Sequence, residues 1–183
     1  AERWRIVICA RPEDRPTLRR LVPHAVVVKG GETRAESVRA GLDALGAEVD
    51  TVLVHDAARP LVTADLVRRV LQAARLHGAA APVMGVPETV HRIEGATEHH
   101  PARFVEVLER SGLAAVQTPQ AARAALLRQA FAAEGERWRT ATDEVSLLLA
   151  AGIPVVAVQG ESRNRKVTYP EDLALCEAML AAE

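Results

Sequence analysis

The sequence predicts one α/β domain, residues 1–183, with a mostly parallel sheet and helices on both faces. Short apolar runs rich in valine and isoleucine alternate along the chain with longer helical patterns, as in α/β proteins. A chain of this length buries about 70% of its unfolded surface in a single core. Hydrophobic residues make up 49% of the chain and charged residues 26%, which is typical of a globular protein.

Charge and composition exclude several classes of protein. A net charge of -1 offers no field to attract nucleic acid, and 3% aromatic residues offer few platforms for stacking bases. Cys9 and Cys176 lack near partners, so reduced thiols are expected. The first residues lack the apolar core of a signal peptide, and no run of about 18 apolar residues occurs. A cytoplasmic protein that does not enter membranes is the expectation.

The first third of the chain reads strand, helix, strand, helix. Residues 5–10 (RIVICA) predict a strand, 13–21 a short helix, and 25–28 (AVVV) a second strand. A glycine pair interrupts the pattern after this strand. Thr33, followed by Glu36 three residues later, is a capping-box signature for a helix running to about Leu45.

The next strand, 51–55, ends in the motif HDAARP, which carries the first candidate functional residues. Ligands of open α/β sheets bind beyond the carboxyl ends of the strands. Asp56 could therefore hold a divalent cation there, and Arg59 an anionic group. Alternatively, Asp56 only caps the following turn and Arg59 is a solvated charge.

A helix at 63–76 and a strand at 79–83 continue the alternation, which then breaks at residues 86–115. This segment contains prolines, glycines and short alternating patches, and predicts an excursion from the sheet such as a hairpin arm. Unstructured loops of thirty residues are unusual in compact domains, so a role in binding or oligomerisation is expected. The remaining predicted elements are a strand at 114–117, helices at 121–133 and 143–151, a strand at 153–158 and a terminal helix from Pro170.

Six blocks of the sequence share a resemblance to one family. They are GGETRAESVRAGL (30–42), VHDAARP (54–60), PETVHR (87–92), RSGLAAVQTPQ (110–120), ATDEVSLLLAAG (141–152) and GESRNRKVTYPEDLALCEAML (160–180). In this order they resemble 2-C-methyl-D-erythritol 4-phosphate cytidylyltransferase. The resemblance implies a Rossmann-like nucleotidyltransferase fold with a protruding β-arm. It also implies transfer of CMP from CTP to the sugar-alcohol phosphate in the non-mevalonate isoprenoid pathway, with release of pyrophosphate.

The sequence departs from the family pattern at three places. The glycine-rich segment (AAGxGxR) and the Pro-Lys pair that grip the triphosphate in the family do not precede Ala1, and we expect the natural protein to carry them upstream. Glu88 stands where the family usually has aspartate. Arg165 stands where an apolar residue is more common.

The resemblance also assigns roles to individual residues. The catalytic residues would be Asp56, Arg59 and Lys166, with Asp56 holding Mg²⁺, the cofactor. The residues around the nucleotide would be Gly31, Glu32, Arg34, Ser37 and Ala57. The residues that bind the sugar phosphate, beside Arg59 and Lys166, would be Thr89, Arg110, Thr118 and Thr142. In the family the arm is exchanged in a homodimer, so Thr89 and Arg110 would reach the neighbouring subunit's site.

The chemistry explains these residue types. Attack of one phosphate on the α-phosphorus of another brings two anions together, and cations must neutralise the leaving pyrophosphate. Magnesium binds through one or two carboxylates and completes its shell with water and phosphate oxygens. Each residue also has an ordinary structural reading: the glycine pair as a plain turn, Ser37 as a helix-face serine, Thr89 as a strand threonine and Arg110 as a surface ion-pair partner.

Other functions remain open from the sequence. A cytidylyltransferase for ribitol 5-phosphate would use the same fold and nucleotide site. A catalytically silent dimer that binds nucleotide or sugar phosphate is the alternative from another class. An NAD-dependent dehydrogenase is set aside because no GxGxxG follows a strand, and the basic run 163–166 is too short to indicate a nucleic-acid site.

Overall fold

The computed structural model describes residues 4–95, 100–133 and 137–182, the side chain of Arg137 excepted. The helices of this part are α1 (Arg15–Leu21), α2 (Arg34–Ala44), α3 (Ala64–His77), α4 (Ala124–Ala133), α5 (Glu144–Ala150) and α6 (Pro170–Ala181). The strands are β1 (Val7–Ala10), β2 (Val26–Lys29), β3 (Thr51–Val54), β4 (Ala79–Gly85), β5 (Val90–Glu94), β6 (Arg103–Leu108), β7 (Ala114–Val116), β8 (Gln120–Arg123) and β9 (Val156–Gln159). The predicted alternation of strands and helices is confirmed.

The main sheet is mixed, so the prediction of a mostly parallel sheet is wrong. Its strands lie in the order β3-β8-β4-β7, with β9 pairing with β4 as well. The pairs β3–β8, β8–β4 and β4–β7 are antiparallel, and β4–β9 is parallel. The antiparallel pairs come from β7, a predicted strand, and from β8, a strand that the sequence pattern did not predict. A separate parallel pair, β1–β2, precedes this sheet along the chain.

Helices cover both faces of the main sheet, as predicted. Neighbouring residues of one strand point to opposite faces, and the two hydrophobic clusters follow this alternation. Ala122 packs in the cluster formed with α2, α4 and α5, whereas Ala121 packs in the cluster formed with α3. In β3, Val52 likewise packs in the first of these clusters and Leu53 packs against the second. The sheet is therefore the middle layer of three.

The predicted capping box at the start of α2 is confirmed. The Thr33 hydroxyl accepts a hydrogen bond from the Glu36 N–H at 3.1 Å, and the Glu36 carboxylate accepts one from the Thr33 N–H at 3.0 Å. This arrangement satisfies backbone donors that the first turn of a helix leaves free. It also fixes Arg34 as the first helical residue, from which its side chain reaches the end of β3.

A hairpin of β5 and β6 forms its own two-stranded antiparallel sheet within the segment predicted as an arm. Residues 96–99, between β5 and β6 in the sequence, lie outside the described residues. Several apolar side chains of the hairpin are exposed, among them Phe104 at 78%. Across the described residues, no helix is both long and apolar enough to cross a membrane.

Candidate functional site

Asp56 lies two residues beyond the end of β3 and is held there by the neighbouring strand. Its backbone N–H donates to the Thr118 hydroxyl at 3.0 Å. Thr118 lies two residues before β8, the antiparallel partner of β3, so pairing of the two strands brings the residues together. The carboxylate stays 17% exposed and can be reached from solvent. The structure therefore places Asp56 just beyond this strand end, within reach of solvent.

Two cations flank the Asp56 carboxylate. Arg34 Nε lies 3.2 Å from Oδ1, and Lys166 Nζ lies 3.4 Å from Oδ2. Burial works to raise the pKa of Asp56, but the charges of Arg34 and Lys166 outweigh it and lower the pKa below its ordinary value. Asp56 is therefore ionised at neutral pH. Its two oxygens face two different cations.

Arg34 is itself held by a second carboxylate, Glu144, which the sequence analysis did not single out. Arg34 Nη1 donates to Glu144 Oε1 at 2.7 Å and Nη2 donates to Oε2 at 2.9 Å, a bidentate fork. The Glu144 side chain is only 5% exposed. Burial alone would lower the pKa of Arg34, but Glu144 and Asp56 together raise it, so the guanidinium stays charged. Burial raises the pKa of Glu144, and the Arg34 fork opposes this.

His55 links the two ends of the HDAARP motif. Its Nε2 lies 3.0 Å from the Arg59 carbonyl oxygen, and its Nδ1 lies 3.1 Å from the Thr118 hydroxyl. A carbonyl can only accept, so Nε2 carries the proton, and in the neutral ring the Thr118 O–H donates to Nδ1. Burial, the largest effect, lowers the pKa of His55 and favours this neutral ring. The Thr118 hydroxyl thus donates its hydrogen bond to His55.

The loop that carries Lys166 is fixed by a fully buried asparagine. The Asn164 Nδ2 donates to the Thr118 carbonyl at 2.7 Å, and the Asn164 carbonyl accepts from Arg59 Nη1 at 2.8 Å. Behind it, Gln117 Nε2 donates to the Glu161 carbonyl at 3.0 Å. Burial lowers the pKa of Arg59, opposed by the charge of Asp56. Three loops that are distant in sequence therefore form one hydrogen-bonded unit beneath the Asp56 carboxylate.

The glycine pair leads into the turn before α2. The Gly31 N–H donates to the Ser37 hydroxyl at 3.0 Å, and the Glu32 N–H donates to the Glu36 carboxylate at 2.8 Å. These two N–H groups are therefore engaged within the chain. A Cβ at Gly31 would lie 2.1 Å from Glu36 Cβ, so only glycine fits there. Ala57 is exposed beside Asp56.

The predicted substrate-binding residues divide into two groups. Thr118 is 3% exposed and contacts Asp56 and His55, as described above. Thr89, Arg110 and Thr142 are exposed. Arg110 donates from Nη1 to the Pro87 carbonyl, close to Thr89 in sequence, at the base of the hairpin. Thr142 lines a cavity of about 260 Å³ together with Trp138 and Ser146.

Asp56 is the predicted site residue with a carboxylate that could hold a divalent cation. Among the described residues, no group of three or more His, Cys, Asp or Glu side chains could form a closed metal site. Asp56 supplies one carboxylate, and the nearby Glu144 is engaged by Arg34. Mg²⁺ commonly binds through one or two carboxylates and completes its octahedron with substrate phosphates and water.

Comparisons with known proteins agree in pointing to one family. A family profile described as 2-C-methyl-D-erythritol 4-phosphate cytidylyltransferase matches residues 2–182. A protein of that name from Streptomyces coelicolor is 46% identical over 188 residues, covering 96% of this chain and 68% of its own length. A crystal structure under the same name from Thermus thermophilus superposes with a TM-score of 0.83 at 39% identity, covering 97% of this chain and 82% of the other.

Longer relatives carry the same region within a larger chain. The bifunctional enzyme IspD/IspF of Anaeromyxobacter dehalogenans is 46% identical over 155 residues. These residues cover 85% of this chain but only 39% of that protein. The chain thus spans about two fifths of the bifunctional relative and about two thirds of the S. coelicolor protein.

Proposed function

Because the chain belongs to the 2-C-methyl-D-erythritol 4-phosphate cytidylyltransferase family, and is thus a nucleotidyltransferase of that fold, we propose that it transfers CMP from CTP to 2-C-methyl-D-erythritol 4-phosphate. The products are pyrophosphate and 4-diphosphocytidyl-2-C-methyl-D-erythritol. One observation carries the assignment of the reaction centre. An ionised carboxylate, Asp56, lies at the carboxyl end of β3 between two cations.

The chemistry is an in-line displacement at phosphorus. A phosphate oxygen of the sugar phosphate forms a bond to the α-phosphorus of CTP, and the bond from that phosphorus to the bridging oxygen of pyrophosphate breaks. Lys166 is half-exposed, so its ammonium can contact a phosphate oxygen while staying near Asp56. Arg59 is anchored through Nη1, which leaves other N–H groups of its guanidinium for the sugar phosphate.

Mg²⁺ is the proposed cofactor, with Asp56 as its protein ligand. When bound, it would neutralise charge on the triphosphate and the leaving pyrophosphate. The protein's own contribution is to keep the Asp56 carboxylate deprotonated and oriented, which Arg34, Lys166 and the Thr118 hydroxyl do.

The turn before α2 is the proposed nucleotide site. The carbonyls of Gly31 and Glu32 are the groups available to the cytosine edge, since their N–H groups are engaged by Ser37 and Glu36. Ser37 supports this turn through its hydroxyl. Ala57, exposed next to Asp56, is the proposed neighbour of the ribose.

The sugar phosphate is proposed to contact Thr89, Arg110 and Thr142, with Thr118 at the inner end of the site. Arg110 and the threonine hydroxyls offer charge-assisted and neutral donors to a phosphate. Thr118 is buried, so its contribution would pass mainly through Asp56 and His55.

The hairpin is proposed to protrude as the dimerisation arm of a cytoplasmic homodimer. Its exposed apolar side chains support this, because contiguous exposed apolar surface is typical of interaction sites. These side chains are Ile93, Phe104, Val105 and Val107. In the dimer, Thr89 and Arg110 would serve the partner's site.

The first experiment measures pyrophosphate release by the complete gene product with CTP, Mg²⁺ and either methylerythritol phosphate or ribitol 5-phosphate. Asp56→Asn keeps the size of the side chain but removes its charge, and we expect turnover to fall by about 10²–10³-fold, as for loss of one preorganised electrostatic group. Asp65→Asn, at an exposed ion pair on α3, is the matched control. Near-normal turnover of a folded Asp56→Asn would contradict the assignment, and release with ribitol 5-phosphate alone would change the substrate.

A second experiment tests whether subunits share their sites. Mixed Arg110→Ala and Lys166→Ala protomers should recover part of the activity, because one of the two sites in a heterodimer would combine both intact residues. The recovered rate is compared with each variant alone. Heterodimers that form but stay as inactive as their parents would exclude exchange of the arm.

A further inference from the structure

We propose that Glu144 is a positioning residue, which holds Arg34 so that its Nε–H contacts the Asp56 carboxylate. The inference rests on the proposed role of Asp56 at the reaction centre. It is carried by the Glu144–Arg34–Asp56 chain of ion pairs, which joins the first turns of α5 and α2 to the end of β3.

The backbone around Glu144 is firmly anchored. Glu144 is the first residue of α5, whose N-cap, Asp143, accepts a hydrogen bond from the Ser146 N–H at 2.8 Å. The Val145 N–H donates to the buried Gln120 side chain at 3.0 Å, and Gln120 also donates to Asp143 at 3.1 Å. Gln120 belongs to β8, the strand paired with β3. The position of the Glu144 carboxylate is therefore fixed relative to the strand end that precedes Asp56.

The fork selects which edge of the guanidinium meets Asp56. Glu144 occupies one N–H on each of Nη1 and Nη2, at 2.7 and 2.9 Å. The Nε–H then points to Asp56 Oδ1 at 3.2 Å. The planar guanidinium presents its donors in fixed directions, so the fork on Nη1 and Nη2 holds the Nε edge of Arg34 toward Asp56.

This restraint on Arg34 determines which Asp56 oxygen it contacts. A bidentate Arg34–Asp56 pair would engage both carboxylate oxygens, whereas the single contact leaves Oδ2 to Lys166 and to an incoming cation. The two carboxylates and the two cations also balance in charge, so Arg34 adds no unpaired charge to the partly buried site. Glu144 thus holds Arg34 on Oδ1 and leaves Oδ2 of Asp56 available.

Glu144→Gln tests the proposal, because an amide has one acceptor oxygen and its NH₂ group repels the second Arg34 donor. Arg34 would then be free to turn onto Asp56. We expect kcat to fall at least about tenfold, the scale of one charge-assisted hydrogen bond, while KM for the sugar phosphate changes little. Glu48→Gln, at the exposed Arg5–Glu48 pair, is the matched control and should leave both constants unchanged.

A second readout uses the ligand-free protein. In ¹⁵N NMR spectra, the Arg34 Nε proton should exchange with water at least about tenfold faster in Glu144→Gln than in the wild type, since its restraint is lost. This signal decides whether Glu144 holds Arg34 even if the wild type releases no pyrophosphate. A failure of the proposed function is thereby distinguished from a failure of this inference.

A double variant separates positioning from stability. Replacing a buried ion pair by apolar residues is often neutral for folding, so Arg34→Met with Glu144→Leu should recover much of the stability that a single substitution loses. It should not recover kcat. Recovery of both, or a Glu144→Gln enzyme with wild-type kcat, would overturn the proposal.

Discussion

Asn164→Ala gives the most direct test of the hydrogen-bonded unit beneath the site. Asn164 is the chain's only asparagine and is fully buried. Its side-chain amide donates to the Thr118 carbonyl at 2.7 Å and lies 3.4 Å from the Gln117 side-chain oxygen. Truncation removes both contacts without touching the main-chain carbonyl that Arg59 binds.

The expected cost follows from these contacts. The buried Thr118 carbonyl loses a close donor, worth about 1–3 kcal/mol, and the void left by the carboxamide adds about 1 kcal/mol. The Gln117 oxygen keeps its bond from the Glu161 N–H at 3.2 Å and adds little. The Asn164 Oδ1 is buried without a partner among the described residues, so its removal relieves about 1 kcal/mol. The net destabilisation is about 2 kcal/mol.

Thermal and urea unfolding measure this change. For a chain of this size, about 2 kcal/mol lowers Tm by roughly 4–8 °C. Gln129→Ala, at an exposed position on α4, is the control and should shift Tm by no more than about 1 °C. Because Lys166 follows two residues later, kcat/KM should also fall by about tenfold in the folded variant. An Asn164→Ala protein with wild-type Tm and wild-type kinetics would refute this account of how the loop is held.

Two further predictions concern Thr118 and Asp172. Thr118→Val keeps the shape of the side chain but removes the hydroxyl that joins Asp56 to His55, so unfolding should cost about 1–3 kcal/mol less; a raised KM for the sugar phosphate at unchanged stability would instead indicate direct substrate binding. Hydrogen bonds from the Tyr169 and Thr168 N–H groups lower the pKa of Asp172. The ionised carboxylate therefore stabilises the start of α6 fully at pH values above 3.8, the ordinary pKa of the group, and this stabilisation is lost as pH falls through the lowered pKa. The Tm difference between wild type and Asp172→Asn should therefore be present at pH 7 and close below about pH 3.8, and a difference independent of pH would contradict it.

Local sequence signals predicted the elements well where they act within one segment. The capping box at Thr33 and Glu36 fixed the start of α2, and the amphipathic run before Gly78 placed α3 to within a residue or two. Proline and two acids marked the start of α6. These signals are interactions between residues at most four apart, so they can be read from the chain alone.

Strand direction was not predictable in this way. β8 has the sequence QAAR, whose small residues lack the branched, apolar character that identifies a strand, and the sequence pattern placed residues 121–123 in a helix. Its role comes from pairing with β3 and β4, which lie about forty or more residues earlier. Without β8, the alternation of strands and helices suggested parallel neighbours.

In the candidate site, the position of Asp56 at a strand end was predictable, whereas the residues that hold it and its neighbours were not. Asp56 was found because a charged residue follows a buried strand. Glu144 gave no comparable signal, since an acid in the first turn of a helix is common and its partner, Arg34, lies 110 positions away. His55 and Asn164 act through contacts with other loops, which only the folded chain shows.

The long sequence separations within the Asp56 cluster govern when it can assemble. Arg34 pairs with residues 22 and 110 positions away, and Arg59 with a carbonyl 105 positions away. During synthesis, a nascent chain that has emerged only as far as β4 has neither the carboxylate for the Arg34 fork nor the loop for Arg59. The cluster closes only when the last third of the chain docks, and such distant contacts slow folding. The ion pairs around Asp56 are thus expected to be among the last contacts of the domain to form.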